Sequence, residues 1–90
     1  MEIDTAREQI DQIDRKITEL FCQRMQCSAA IGAYKAERGL PIYVPEREEE
    51  ILAKLASASA PDMKDYVEKL YRYIFSLSRD YQQTLTTKEG

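Results

Sequence analysis

DTAREQIDQIDRKITELFCQRMQCSAAIGAYKAE, residues 4–37, decides how this chain folds. With Ile3 just ahead of it, Ile10, Ile13, Ile17, Leu20, Phe21, Ile31 and Tyr34 recur at the three-, four- and seven-residue intervals of one helical face. The first strong breakers are Gly39 and Pro41. The spacing predicts one helix over 4–37, with Asp4 or Thr5 capping its start and Glu8 supporting the cap. Gly32 weakens such a helix by about 1 kcal/mol relative to alanine, so its presence points to close packing against another helix.

Working outward, ERGLPIYV (37–44) reads as a loop. Pro45 suits a first helical turn, and the acidic residues Glu46, Glu48, Glu49 and Glu50 suit the positive end of a helix dipole. A second helix is expected over 45–57, with Ile51, Leu52 and Leu55 on its apolar face. After the loop SASAP, a third is expected over 62–85, with Tyr66, Val67, Leu70, Tyr71, Ile74, Leu77, Tyr81 and Leu85 inward. The tail TTKEG is expected to fray. No strand pattern or repeat interrupts this series. The expectation is an all-α single domain over 1–90, built from one long, one short and one medium-long helix.

The long helix sets a geometric problem. About 33 residues at 1.5 Å rise make a rod of roughly 50 Å, whereas a compact domain of this length is about 30 Å across. The rod overhangs its own domain, yet its apolar stripe continues to Ile3 and Ile10. A second chain covering that stripe, in an intertwined helical-bundle homodimer, is the expected remedy.

Composition narrows the function. The chain is 43% hydrophobic and 32% charged, with a net charge of −3 and no basic block, so a nucleic-acid partner is not expected. No apolar run approaches a membrane span, and no signal-peptide core follows Met1. Cys22 and Cys27 point about 140° apart on one helix and cannot pair with each other there; two reduced thiols fit a cytoplasmic protein. With no histidine, no glycine-rich phosphate loop and no metal-ligand cluster, hydrolytic chemistry has few players and no cofactor is expected.

Polar side chains on the apolar stripes carry the functional signal. Arg24 and Lys35 are eleven residues, or three turns, apart on nearly the same azimuth of the first helix, about 16 Å along its axis. Glu48 and Arg47 lie one turn before Ile51 on the second; Ser78 and then Gln82 continue the third's inner face. Each has an ordinary reading: Arg47 in a solvated charge network, Lys35 snorkelling to water near a helix end, Ser78 tolerated as small, Gln82 exposed. Together they place cations in one interior with only Glu48 as a built-in anion, and unpaired buried cations are costly. An anionic ligand would complete the set, and arginine suits bidentate carboxylate binding, so a dicarboxylate fits.

The motifs R-x2-I-D-x-I-D (Arg7–Asp14), Leu20 through Arg24, I-G-x-Y-K (Ile31–Lys35), P-x3-P-E-R-E (Pro41–Glu48) and S-x3-Q (Ser78–Gln82) stand in this order over residues 4–83. In them the chain resembles the all-helical AroQ-class chorismate mutases. The resemblance implies an intertwined dimer with two sites that convert chorismate to prephenate by a pericyclic rearrangement, without covalent or acid–base catalysis. It implies that Arg24, assisted by Ser78, binds a substrate carboxylate, and that Arg7 reaches the site from the other subunit. It implies that Lys35 contacts a carboxylate and the ether oxygen, that Gln82 donates to the same oxygen, that Glu48 accepts from the ring hydroxyl, and that Arg47 organises that end. Val44 stands where the family often has an aspartate. Two other readings stay open: an isochorismate pyruvate-lyase on the same fold, and a non-enzymatic dimeric helical module whose polar residues fix register.

Overall fold

The computed structural model describes residues 2–89, with side chains as far as Thr86, so Met1 and Gly90 of the expected domain lie outside the described residues. It is all-helical: α1 (Ile3–Arg38), α2 (Pro45–Ala58) and α3 (Lys64–Glu89), with no strand among the described residues.

The first correction is at the start of α1. Glu2 is the N-cap, in extended conformation and with no side-chain cap bond. Asp4 and Thr5 are already inside the helix, because the Ala6 N–H bonds the Glu2 carbonyl at 3.0 Å and so opens the ladder earlier. Asp4 faces the positive end of the helix dipole instead of capping it. The other end is closed by Gly39, whose φ of 65° is the left-handed value that glycine adopts without steric cost. Its N–H bonds the Ala36 carbonyl at 3.4 Å and the Leu40 N–H bonds the Lys35 carbonyl at 2.8 Å, the paired bonds of a Schellman stop.

α2 opens on Pro45, with the Val44 carbonyl accepting from the Arg47 and Glu48 N–H groups at 3.1 and 3.3 Å. α3 begins two residues later than the spacing predicts. The Met63 N–H bonds the Ala60 carbonyl at 2.9 Å, which makes residues 61–63 a turn. Its C-terminus runs past the expected fraying point to Glu89. No glycine or proline interrupts it before Glu89.

α1 and α2 both pack on α3 and not on each other. Arg24 meets Ser78, and Ser28 meets Gln82; the constant offset means that α1 and α3 run parallel. α2 runs back along α3, with Glu48 against Arg79 and Glu49 against Arg72. Arg72 also holds Glu68 at 3.0 Å, and that hydrogen bond is the foremost cause of its raised pKa. The close approach of α1 to α3 falls at Gly32. A Cβ built there would stand 2.9 Å from the Gln82 Cγ and 3.2 Å from its Cβ.

The covered interior is small: Phe75 and Leu52 are its buried apolar side chains, and Tyr71 meets Phe75 edge-on at 6.0 Å. The inward set expected for α3 needs correction here. Phe75 is the most buried, whereas Tyr66, Leu70 and Tyr81 stay exposed in the single chain. The reason is that α3 carries two apolar faces. One lies on α1 and α2; the other, with Tyr66, Leu70 and Tyr73, looks outward.

α1 leaves more uncovered. Ile3, Ile10 and Ile17 repeat every seven residues, as do Ile13 and Leu20, until Arg24 and Cys27 stand at the next positions of the two series. Exposure reaches 65% at Ile3 and 61% at Leu20. A seven-residue apolar repeat is the seam of helices that pair along their length. The chain measures 53 × 26 × 14 Å with a radius of gyration of 16.2 Å, against about 12 Å for a compact domain of this length. It exposes 7237 Å², where a compact monomer of its mass exposes about 5400 Å². No helix among the described residues is long and apolar enough to cross a membrane.

Gly32→Ala should lower stability by about 1 kcal/mol in urea unfolding, because overpacking costs about 1–3 kcal/mol and the better helix propensity returns only about 1 kcal/mol. A variant more stable than the parent would contradict the packing described.

Candidate active site

α3 forms the floor of a cavity whose walls are α1 on one side and α2 with the preceding loop on the other. Its volume is about 260 Å³, just below the range of about 300–1,000 Å³ usual for ligand sites. Of the side chains singled out in the sequence, Arg24, Lys35, Arg47, Glu48, Ser78 and Gln82 all line it.

Helical spacing explains the convergence. On α1, Arg24, Ser28, Ile31 and Lys35 succeed one another at three- and four-residue steps and face α3. On α3, Phe75, Ser78 or Arg79, and Gln82 do the same. The Schellman stop turns the chain sharply after Lys35, so residues 42–44 return over the same cavity.

Arg24 donates from Nη1 to the Ser78 Oγ at 2.9 Å, and its guanidinium lies 5.6 and 5.9 Å from the ring centres of Phe75 and Tyr71. Those rings give cation–π stabilisation and shield it from water. Lys35 is half-buried and donates from Nζ to the Ile42 carbonyl at 3.0 Å, which leaves two of its three ammonium hydrogens for other acceptors. It neither pairs with a carboxylate nor reaches fully into water. Arg47 behaves as the solvated network reading expects: Nη1 holds Glu50 Oε1 at 2.8 Å and the side chain is exposed, although it borders the cavity.

Two features differ from expectation. Glu48 is not a free anion facing the cations. It pairs with Arg79, a cavity residue that the sequence reading passes over. The signal was available, since Arg79 lies four residues after Phe75 and three before Gln82 on the buried face. Gln82 is buried, at 6% exposure, and its Nε2 donates to both the carbonyl and the hydroxyl of Ser28, at 2.8 and 3.1 Å. Both amide hydrogens are engaged, so donation to a ligand means releasing the longer bond to the Ser28 hydroxyl, which can rotate. Val44 lines the cavity with an apolar side chain and makes no side-chain cap bond.

Arg7 stands apart, exposed on α1 and about 25 Å along the axis from Arg24. Among the described residues it has no hydrogen bond or ion pair within its own chain.

The charge balance follows from these partners. Arg79 is paired with Glu48, and Arg47 with Glu50, whose Oε1 Lys54 shares at 3.3 Å. Among the described residues, Arg24 and Lys35 have only neutral partners, a hydroxyl and a carbonyl. Two uncompensated cations face one cavity, and a dianion would balance both. Fold and site together define a small helical domain with a cavity in which two cations lack an anionic partner among the described residues.

The family description "Chorismate mutase type II" matches residues 6–83, and this chain belongs to that family. It is 36% identical over 85 residues to the T-protein of Enterobacter agglomerans, spanning 88% of this chain and 23% of that protein. It is 38% identical over 71 residues to the "Intracellular chorismate mutase" of Mycobacterium tuberculosis, spanning 79% and 67% respectively. The solved chorismate mutase (form II) from Thermus thermophilus superposes with a TM-score of 0.86 at 35% identity, covering 90% of this chain and 93% of that one. The chain spans about a fifth to a quarter of the T-proteins it matches.

A ring dicarboxylate should stabilise the folded protein, by about 2.7 kcal/mol at one hundred times its dissociation constant. In thermal unfolding the midpoint should rise, and Arg24→Met should abolish the rise. A midpoint indifferent to dicarboxylates would contradict the charge balance.

Proposed function

We propose that this chain is a chorismate mutase that works as a homodimer, converting chorismate to prephenate on the route to phenylalanine and tyrosine. The observation that carries the reading is the pair of uncompensated cations, Arg24 and Lys35, facing one cavity in a chain of the type II chorismate mutase family. Chorismate is a one-ring dicarboxylate. The named relatives favour the mutase over the lyase alternative, and a cavity lined with cations favours an enzyme over an interaction module.

The rearrangement breaks a C–O bond and forms a C–C bond in one pericyclic step, with no nucleophile or proton transfer. That leaves the protein two tasks. One is to hold the enolpyruvyl side chain over the ring, a near-attack geometry that removes entropy from the barrier. Arg24, steadied by Ser78 and by the rings of Phe75 and Tyr71, takes one carboxylate; Lys35, and Arg7 from a second subunit, take the other. The second task is to stabilise negative charge growing on the ether oxygen. Lys35 does so with its free hydrogens, and Gln82 joins by exchanging its bond to the Ser28 hydroxyl for one to the ether oxygen. Glu48 accepts from the ring hydroxyl, and Arg47 organises that end.

The dimer supplies what one chain lacks. The uncovered seven-residue seam of α1, the excess surface and the outward face of α3 all call for a second copy. Arg7 lies on the overhanging half of α1, where it can reach the partner's cavity but not its own. Like its relative named intracellular, the protein would act in the cytoplasm.

The deciding experiment is the loss of chorismate absorbance on adding the protein, with prephenate identified as product; no turnover would refute the proposal. Lys35→Ala should lower kcat by about 10²–10³-fold, the effect of removing one oxyanion-type donor, while circular dichroism stays unchanged. Sedimentation should show a dimer at micromolar concentration, and a stable monomer would remove the dimer.

A further inference from the structure

Arg79 is the cavity cation for which the mechanism above has no use. It joins three parts of the cavity. Its Nη1 donates to Glu48 Oε2 on α2. Its guanidinium lies 4.7 Å from the ring centre of Tyr43, in the loop between α1 and α2. Its own helix, α3, provides the cavity floor.

The pair it makes with Glu48 differs from the chain's other ion pairs. The side chains are 34% and 18% exposed, whereas those of Arg47–Glu50 are 59% and 54%. A pair that is partly withdrawn from water is less screened, and removing one partner leaves the other charge uncompensated. Here the charge left behind would be a carboxylate on the wall of a cavity that has to accept a dianion.

We infer that Arg79 is a positioning residue for the α2 end of the cavity: it neutralises Glu48, fixes where its carboxylate stands, and holds the Tyr43 loop against α3. The ligand part of this inference rests on the function proposed above; the part concerning the loop does not. With Arg79 in place, Glu48 presents an oriented acceptor to a neutral hydroxyl without repelling the ligand's carboxylates. Lys35, on the α1 wall, holds the same loop through the Ile42 carbonyl, so residues 42 and 43 are held from α1 and from α3.

Four variants of the full chain test this: Arg79→Met, Arg79→Lys, Glu48→Gln, and the double variant Arg79→Met with Glu48→Gln. Arg79→Met should raise KM for chorismate about tenfold or more and change kcat less, because the repulsion acts on bound substrate and transition state alike. Arg79→Lys, which keeps the charge, should recover most of the loss. The double variant should bind better than Arg79→Met alone, since Gln removes the unneutralised charge and still offers an acceptor. Multiplicative losses in the double variant, or an unchanged KM in Arg79→Met, would overturn the inference. Amide hydrogen exchange without ligand gives a second readout: Arg79→Met should speed exchange at Arg47 and Glu48, whose N–H groups bond the Val44 carbonyl at the end of the same loop, and unchanged exchange would overturn the loop role. If the parent protein turns over no chorismate, the proposed function fails, and the exchange result still decides whether Arg79 holds the loop.

Discussion

The length of α1 is the constraint on which the rest of this structure depends. A helix of 36 residues runs past anything the remainder of its own chain can cover. α3 meets it only over its C-terminal half, where Gly32 lets the two backbones approach and seats Gln82 between them. Ahead of that contact, an apolar seam with a seven-residue repeat lies open. The stability of such a chain cannot come from a deep core of its own, since the buried apolar side chains are as few as Phe75 and Leu52. In the dimer proposed above, burial is completed along the seam, which makes architecture and oligomerisation one question.

The same arrangement makes the cavity. α1 and α2 rest on α3 without touching each other, so a trough remains between them, and α3 supplies its floor. Four cations line it, and the partners sort them into two groups. Arg47 and Arg79 are paired with glutamates on α2. Arg24 and Lys35 are held by neutral oxygens that fix their positions and leave their charge available. A site pre-organised in this way spends little on ordering its side chains when a ligand arrives, and in a partly dry cavity its charges act more strongly than they would in water. The reaction proposed above asks it for no nucleophile.

Much of the fold is legible in the sequence because helical periodicity is local. The three helices lie where apolar residues recur at helical intervals, and Gly39 and Pro45 mark the stop and the start around the first loop. Ends are less legible. Asp4 and Thr5 look like caps, yet the ladder opens from the Glu2 carbonyl, ahead of both. Which apolar residues are inside is legible only as a pattern: Tyr66 and Leu70 share the periodicity of α3 but sit on its outward face, while Phe75 is the residue that α3 buries. In the candidate site, Arg24 and Lys35 stand out as cations on an apolar stripe. The partners of Glu48 and Gln82 do not stand out, because pairing with Arg79 and Ser28 depends on how α2 and α1 lie across α3, and that crossing is a tertiary property. Arg7 marks the far limit, since nothing within its own chain engages it.

The central claim is that each cavity is completed by Arg7 of a second copy. The direct measurement is chorismate turnover by a one-to-one mixture of Arg7→Ala and Arg24→Ala chains, each inactive alone, after unfolding and refolding together. Random pairing puts both lesions in one cavity of every mixed dimer and leaves the other intact, so activity should recover to about a quarter of the parent's. A mixture no more active than its two components would contradict the account.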